Sequence, residues 1–97
     1  MAYVNEQNST GLTNVTGNQS VAVEATCSHH SVCIECADPT VKFVTTHSVR
    51  GGSTPKSFDD NTLLVDKTAH LALAGSTQLH FEPSNINAAY TVIIHSY

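Results

Sequence analysis

The sequence predicts an all-β protein: a single antiparallel β-sandwich, jelly-roll-like, or a barrel, with about seven short strands and an extended N-terminal arm. Three observations carry this. From residue 21 onward apolar residues recur with a period of two, the repeat that lines one face of a strand. The runs are short, rich in Val, Ile, Thr, Phe and Tyr, and bounded by Gly, Pro, Asn and Asp, which is the composition of strands and their turns. No window of a dozen residues carries the apolar stripe of a helix. At 97 residues the chain is one domain, and a domain of this size buries somewhat over ~60 % of its unfolded surface, enough for a small core.

Taken in order, residues 1–20 are polar, punctuated by Gly11 and Gly17, with scattered Tyr3, Val4, Leu12 and Val15. They read as an extended arm ahead of a sandwich domain spanning residues 21–97. The strand runs are 21–26 (VAVEAT), 32–37 (VCIECA), 41–46 (VKFVTT), 62–65 (TLLV), 70–73 (HLAL), 78–82 (QLHFE) and 90–95 (YTVIIH). Between them lie Asp38-Pro39-Thr40, Arg50-Gly51-Gly52, Asp59-Asp60-Asn61, Gly75-Ser76-Thr77 and the run PSNIN at 83–87, all rich in turn formers. Parity suggests two hairpins. Leu71, Leu73, Leu79 and Phe81 share a face, so pairing 71 with 81 and 73 with 79 turns the chain at Gly75 and leaves His70 opposite Glu82. Likewise Val21, Val23 and Ala25 would face the core with Val32, Ile34 and Cys36, turning near Ser28 and His29. In the last run Ile93 and Ile94 point to opposite faces, so that strand is either covered on both sides or meets a partner subunit.

Composition narrows the function. Ser, Thr, Asn and Gln number 10, 12, 7 and 3, while charged residues make up only 12 %, about half the usual ~25 %. A surface of hydroxyls and amides suits a protein held in an assembly or exposed outside a cell. The net charge is −4, and Lys42, Arg50, Lys56 and Lys67 stand singly, which argues against nucleic-acid binding, since that draws on clustered cations. No apolar run approaches the ~18 residues of a membrane span. The start, MAYVNEQNSTG, has neither a basic nor an apolar signal region, so no secretory signal is expected. The sequons at Asn8, Asn14 and Asn18 then read as a by-product of an Asn/Ser/Thr-rich segment.

The segment CSHHSVCIEC, residues 27–36, gathers every cysteine and two of the six histidines. Cys33 and Cys36 have the spacing of a zinc knuckle, and Cys27, His29 and His30 are candidate further ligands. Alternation opposes that reading. On a strand Val32, Ile34 and Cys36 fall on one side, Cys33 and Glu35 on the other, with the two sulfurs about 10 Å apart. A disulfide framework is opposed by the odd number of thiols. The expectation is a strand carrying reduced thiols, with Cys36 as a small core residue, Cys27, His29 and His30 in a polar loop tip, and no metal or cofactor. No nucleophile elbow or cysteine-protease signature accompanies the Ser, Cys and His residues, so no enzyme is expected. Gly51-Gly52 does not open a phosphate loop, and Asp59-Asp60-Asn61 lacks the ligand spacing of a calcium loop. His47, His80 and His95 read as solvated strand positions; gathered at an interface they would make assembly pH-sensitive.

The stretch from Val32 to Tyr97 resembles the small β-sandwich virion proteins of tailed phages, the head decoration (cement) proteins and short fibre-type modules. VCIEC followed by DPTVKF resembles their early strand pair, and FDDNTLLVDKTAHLALAGSTQLHFEPS with the closing AAYTVIIHSY resembles their later strands. The cysteine-bearing strand departs from that pattern. Immunoglobulin-like and carbohydrate-binding sandwiches share the same texture. The resemblance implies a non-enzymatic structural role in a virion and self-association, often as a trimer. It also implies docking on the major capsid or another virion protein, with the arm reaching over neighbouring shell subunits. Tyr3, Val4, Leu12, Val15, Ile93 and Tyr97 are then the candidate interface residues. The alternatives are a surface adhesion or glycan-binding module, for which a chain with no Trp and three Tyr is poor in aromatic platforms, and a zinc module built on residues 27–36.

Overall fold

Alternation becomes a two-layer structure once the strands are paired. The computed structural model describes residues 9–52 and 54–97. Among them are eight strands: β1 (Ser9–Val15), β2 (Gln19–Ala22), β3 (His30–Cys36), β4 (Lys42–Val49), β5 (Thr62–Leu64), β6 (Ala69–Leu71), β7 (Ser76–Pro83) and β8 (Tyr90–Ser96). They form two four-stranded sheets, sheet I in the order β1-β8-β3-β6 and sheet II in the order β2-β7-β4-β5. All pairs are antiparallel. The fold is therefore an antiparallel β-sandwich, as the period of two predicts, and each of the seven strand runs read from the sequence holds a strand.

The segment read as an arm behaves differently from residue 9 onward. β1 pairs with β8, from Ser9 opposite His95 to Val15 opposite Tyr90, and β2 begins at Gln19 beside Phe81. Hydroxyl and amide side chains hide this strand in the sequence, because β1 supplies little apolar surface of its own: five of its seven residues are exposed. Tyr3 and Val4 lie outside the described residues.

Both hairpins drawn from parity are corrected. β6 pairs with β3, Leu71 lying opposite His30, whereas β7 pairs with β2 and β4 in the other sheet. His70 accordingly faces Ser31, and Glu82 faces Val44. β2 and β3 likewise belong to opposite sheets. The physical reason is that the inner faces of two stacked sheets look at each other. Leu71, Leu79 and Phe81 do share one core, but sharing a core does not require sharing a sheet. Among the described residues only β4 and β5 are consecutive strands paired with one another.

The core lies between the inner faces. Sheet I contributes Val32, Ile34, Leu71, Tyr90, Val92 and Ile94, and sheet II contributes Val21, Phe43, Leu63, Leu79 and Phe81. Phe43 and Tyr90 meet edge to face across the layers, centroids 4.8 Å apart at 61°. Tyr90 also donates its hydroxyl to the Gly17 carbonyl at 2.6 Å, tying down the β1–β2 turn, and burial pushes its phenol up from its ordinary value of 10.0. Cys27, expected in a polar loop tip, is buried where the chain crosses between sheets.

Two substitutions test this account. A Cβ at Gly11 would collide with the Val92 backbone oxygen, so Gly11→Ala is expected to push β1 off β8 and cost about 1–3 kcal/mol in urea unfolding. Tyr90→Phe keeps the ring but leaves the Gly17 carbonyl without its donor, and is expected to cost about 1 kcal/mol. Unchanged unfolding midpoints in both variants would contradict the packing described.

Candidate functional site

Ten serines and six histidines in a chain this short acquire a pattern only when the strands are in register. Every histidine is hydrogen-bonded to a serine hydroxyl. Across the outer face of sheet I runs a row from four neighbouring strands: Ser9 bonds His95 Nδ1 at 3.0 Å, His95 lies opposite Ser31, and Ser31 bonds His70 Nδ1 at 3.0 Å. At the end of that face His29 bonds Ser28 at 2.8 Å and stacks on Tyr97, centroids 5.3 Å apart and 10° from parallel. The Tyr97 backbone closes the end by accepting from the amides of Ser28 and His29 and donating to the His29 carbonyl.

A second set lies deeper. His30 is fully buried, its Nδ1 2.6 Å from the Ser96 hydroxyl, and its Nε2 has no partner among the described residues. Desolvation pulls its pKa below the ordinary 6.5, nearby His29 and His47 push the same way, and the Leu73 backbone opposes them. His47 Nδ1 sits 2.8 Å from the Ser76 hydroxyl, which itself donates to the Leu73 carbonyl at 2.9 Å. That hydroxyl has one proton, so it accepts from His47, which fixes the Nδ1–H tautomer. Partial burial, with Lys56 and His80 nearby, also lowers the His47 pKa. His80 is held at both nitrogens, Nδ1 by Ser20 at 2.6 Å and Nε2 by Ser48 at 2.8 Å. A neutral imidazole has one donor and one acceptor, so one of these serines donates and the other accepts.

His80 lies in a shallow groove of about 320 Å³ on the outer face of sheet II, together with Ser20, Val44, Thr46, Pro55 and Glu82. The arrangement can clamp strands and present neutral donors and acceptors. Among the described residues the partner in each pair is a serine rather than a carboxylate, so none of these imidazoles is bonded there to the orienting acid of a Ser-His-Asp site.

The candidate ligands of residues 27–36 separate. Cys36 is partly buried against the core, whereas Cys33 is on the opposite side of β3, in register with exposed Ile93. Both are free thiols. Among the described residues no three His, Cys, Asp or Glu side chains come together to hold a metal ion. Of the candidate interface residues, Leu12 and Val15 are half-buried against the core, while Ile93 and Tyr97 are 49 % and 40 % exposed. Asp59-Asp60-Asn61 forms a turn, with Asp60 at φ 54° and Asn61 donating to the Thr45 carbonyl at 3.1 Å. The Ser–His pairing escaped the sequence reading because it is set by register; the abundance of both residue types was the only trace of it.

No protein-family model matches this sequence, and no curated protein is similar to it in sequence. Its fold is similar to those of solved structures. The SPBc2 prophage-derived protein YomS superposes with a TM-score of 0.67 at 15 % identity, over 93 % of this chain and 94 % of the other. The Aeromonas hydrophila protein PliG, a periplasmic lysozyme inhibitor of g-type lysozyme, superposes with a TM-score of 0.60 at 11 % identity, over 100 % of this chain and 93 % of the other.

The buried imidazoles give a pH dependence with a definite sign. A histidine whose pKa is lowered by folding binds its proton more readily when unfolded, so its contribution is intact above the ordinary 6.5 and is lost as pH falls below it. The urea midpoint is expected to fall between pH 7.5 and 5.5, and His30→Gln is expected to weaken that fall. An equal fall in the variant would remove His30 as its source.

Proposed function

We propose that this protein is a non-enzymatic structural component of a phage particle, a capsid decoration protein that self-associates and docks on the outer surface of the shell. The carrying observation is the outer face of sheet I. There Ile93, on a central strand, is 49 % exposed beside Cys33, at a position where a solitary sandwich presents a polar residue. The sparse charge and abundant hydroxyls and amides fit a surface that is covered in use. Support also comes from the prophage-derived protein with the same sandwich over nearly its whole length. The other neighbour is an inhibitor of a second protein, g-type lysozyme, and so acts by binding. A trimer is the state implied by the resemblance to decoration proteins.

A glycan-binding reading would rest on the groove around His80 and Glu82. Tyr97 is the only exposed aromatic ring of a Phe or Tyr among the described residues, and it is not part of that groove.

Co-sedimentation with capsids prepared without the protein is the test, joined to light scattering for the mass in solution. Saturable binding to the shell is expected, and Ile93→Lys is expected to weaken it at least tenfold. A monodisperse monomer that ignores the shell would defeat the reading.

A further inference from the structure

The four sheet edges of this sandwich are unequal. β2, β5 and β6 offer edges of only four, three and three residues, and short edges are one way natural sandwiches avoid unwanted pairing. β1 is seven residues long and stands at the end of sheet I, with β8 as its one ladder partner among the described residues. Its outward side presents backbone N–H and C=O groups that a further strand can pair.

Charge is the second means of blunting an edge, and the two edges without it are β1 and β2, of which β1 is the longer. Asp59, Asp60, Asp66 and Lys67 flank β5, Lys67 precedes β6, and Glu24 follows β2. From Ser9 to Val23 there is no Asp, Glu, Lys or Arg at all. This bears directly on what can dock. In an antiparallel pair related by a two-fold axis each strand meets its own sequence, so a charge at or near the axis faces its own copy. β1 contains nothing that repels its own copy. The register with β8 is regular from Ser9 to Leu12 and shifts between Leu12 and Val15, where Asn14 is at φ 51°, so the regular part of this edge is the first half of β1. One strand inward Ile93 stands exposed, opposite Gly11, so apolar surface continues towards this edge.

We propose that residues 9–13 of β1 are the docking edge for a second copy of this chain, the two strands pairing antiparallel across a two-fold axis to make one continuous sheet. The inference rests on the self-association reading above and names the surface that serves it. An isologous contact gives even-numbered assemblies: a dimer by itself, or a hexamer where the chain also forms trimers.

The test is light scattering of the full chain over a hundredfold concentration range, with amide hydrogen exchange at both ends of that range. The expected results are a mass that is an even multiple of the chain and slower exchange at residues 9–13 in the concentrated sample. Thr10→Lys and Thr13→Lys, both at exposed positions, are expected to weaken association at least tenfold. Thr62→Lys on the β5 edge is expected to leave it unchanged. An odd assembly, or one indifferent to lysine in β1, overturns the edge pairing while self-association stands. A monomer at every concentration overturns both. Equal protection of residues 9–13 in dilute and concentrated samples shows the edge covered within one chain and also overturns the pairing, and this measurement on the unsubstituted protein does not depend on any variant folding.

Discussion

Phe43 of sheet II and Tyr90 of sheet I meet edge to face between the two layers, where β4 and β8 begin, both almost completely removed from water. Such a pair adds about 0.5–1.5 kcal/mol beyond its buried area, but its structural consequence is larger than that figure. Tyr90 begins β8, the strand that carries β1 on one side and β3 on the other. Its hydroxyl reaches over to the Gly17 carbonyl and so fixes the turn that sends the chain from one sheet to the other. Tyr90 therefore joins the two layers through its ring, at the start of a central strand, and closes the β1–β2 corner through its hydroxyl.

With the inner faces filled by aliphatic and aromatic side chains, the remaining polar demand falls on serine and histidine. Each imidazole is paired with a hydroxyl rather than a carboxylate, so these pairs draw no Asp or Glu into the core, where an ion would be costly to desolvate. His30 is the extreme case: fully buried, bonded to the Ser96 hydroxyl through Nδ1, and with its pKa lowered chiefly by desolvation. The outer face of sheet I repeats the chemistry at the surface, where Ser9 and His95 join β1 to β8 and Ser31 and His70 join β3 to β6. No Asp, Glu, Lys or Arg takes part in these strand-to-strand bonds.

That property connects stability with the proposed role. A protein that works in many copies on a repeating shell needs only weak individual contacts, because they act together. What it must avoid is a surface that repels itself. Sparse charge, an exposed isoleucine on a central strand and one long uncharged edge are consistent with a surface completed by other subunits.

The period of two in residues 21–95 was enough to establish strands, and with them the inward direction of Val21, Val32, Ile34, Leu71, Leu79 and Phe81, because successive side chains on a strand leave opposite faces; which of Ile93 and Ile94 turns inward was settled only by the structure, which buries Ile94 and exposes Ile93. The same rule separated Cys33 from Cys36 before any pairing was known. Parity does not say which strand lies alongside which, and for that reason the drawn hairpins dissolved when β6 and β7, and β2 and β3, proved to belong to opposite sheets. β1 was invisible for a related reason: a strand made of Ser, Thr, Gly and Asn becomes a strand by borrowing hydrogen bonds from β8, not through apolar alternation of its own. The Ser–His pairs and the buried place of Cys27 depend likewise on which chain segments meet. Facing direction is a local property of the backbone and is written in the sequence; neighbourhood is a long-range property, decided only when the two sheets close on each other.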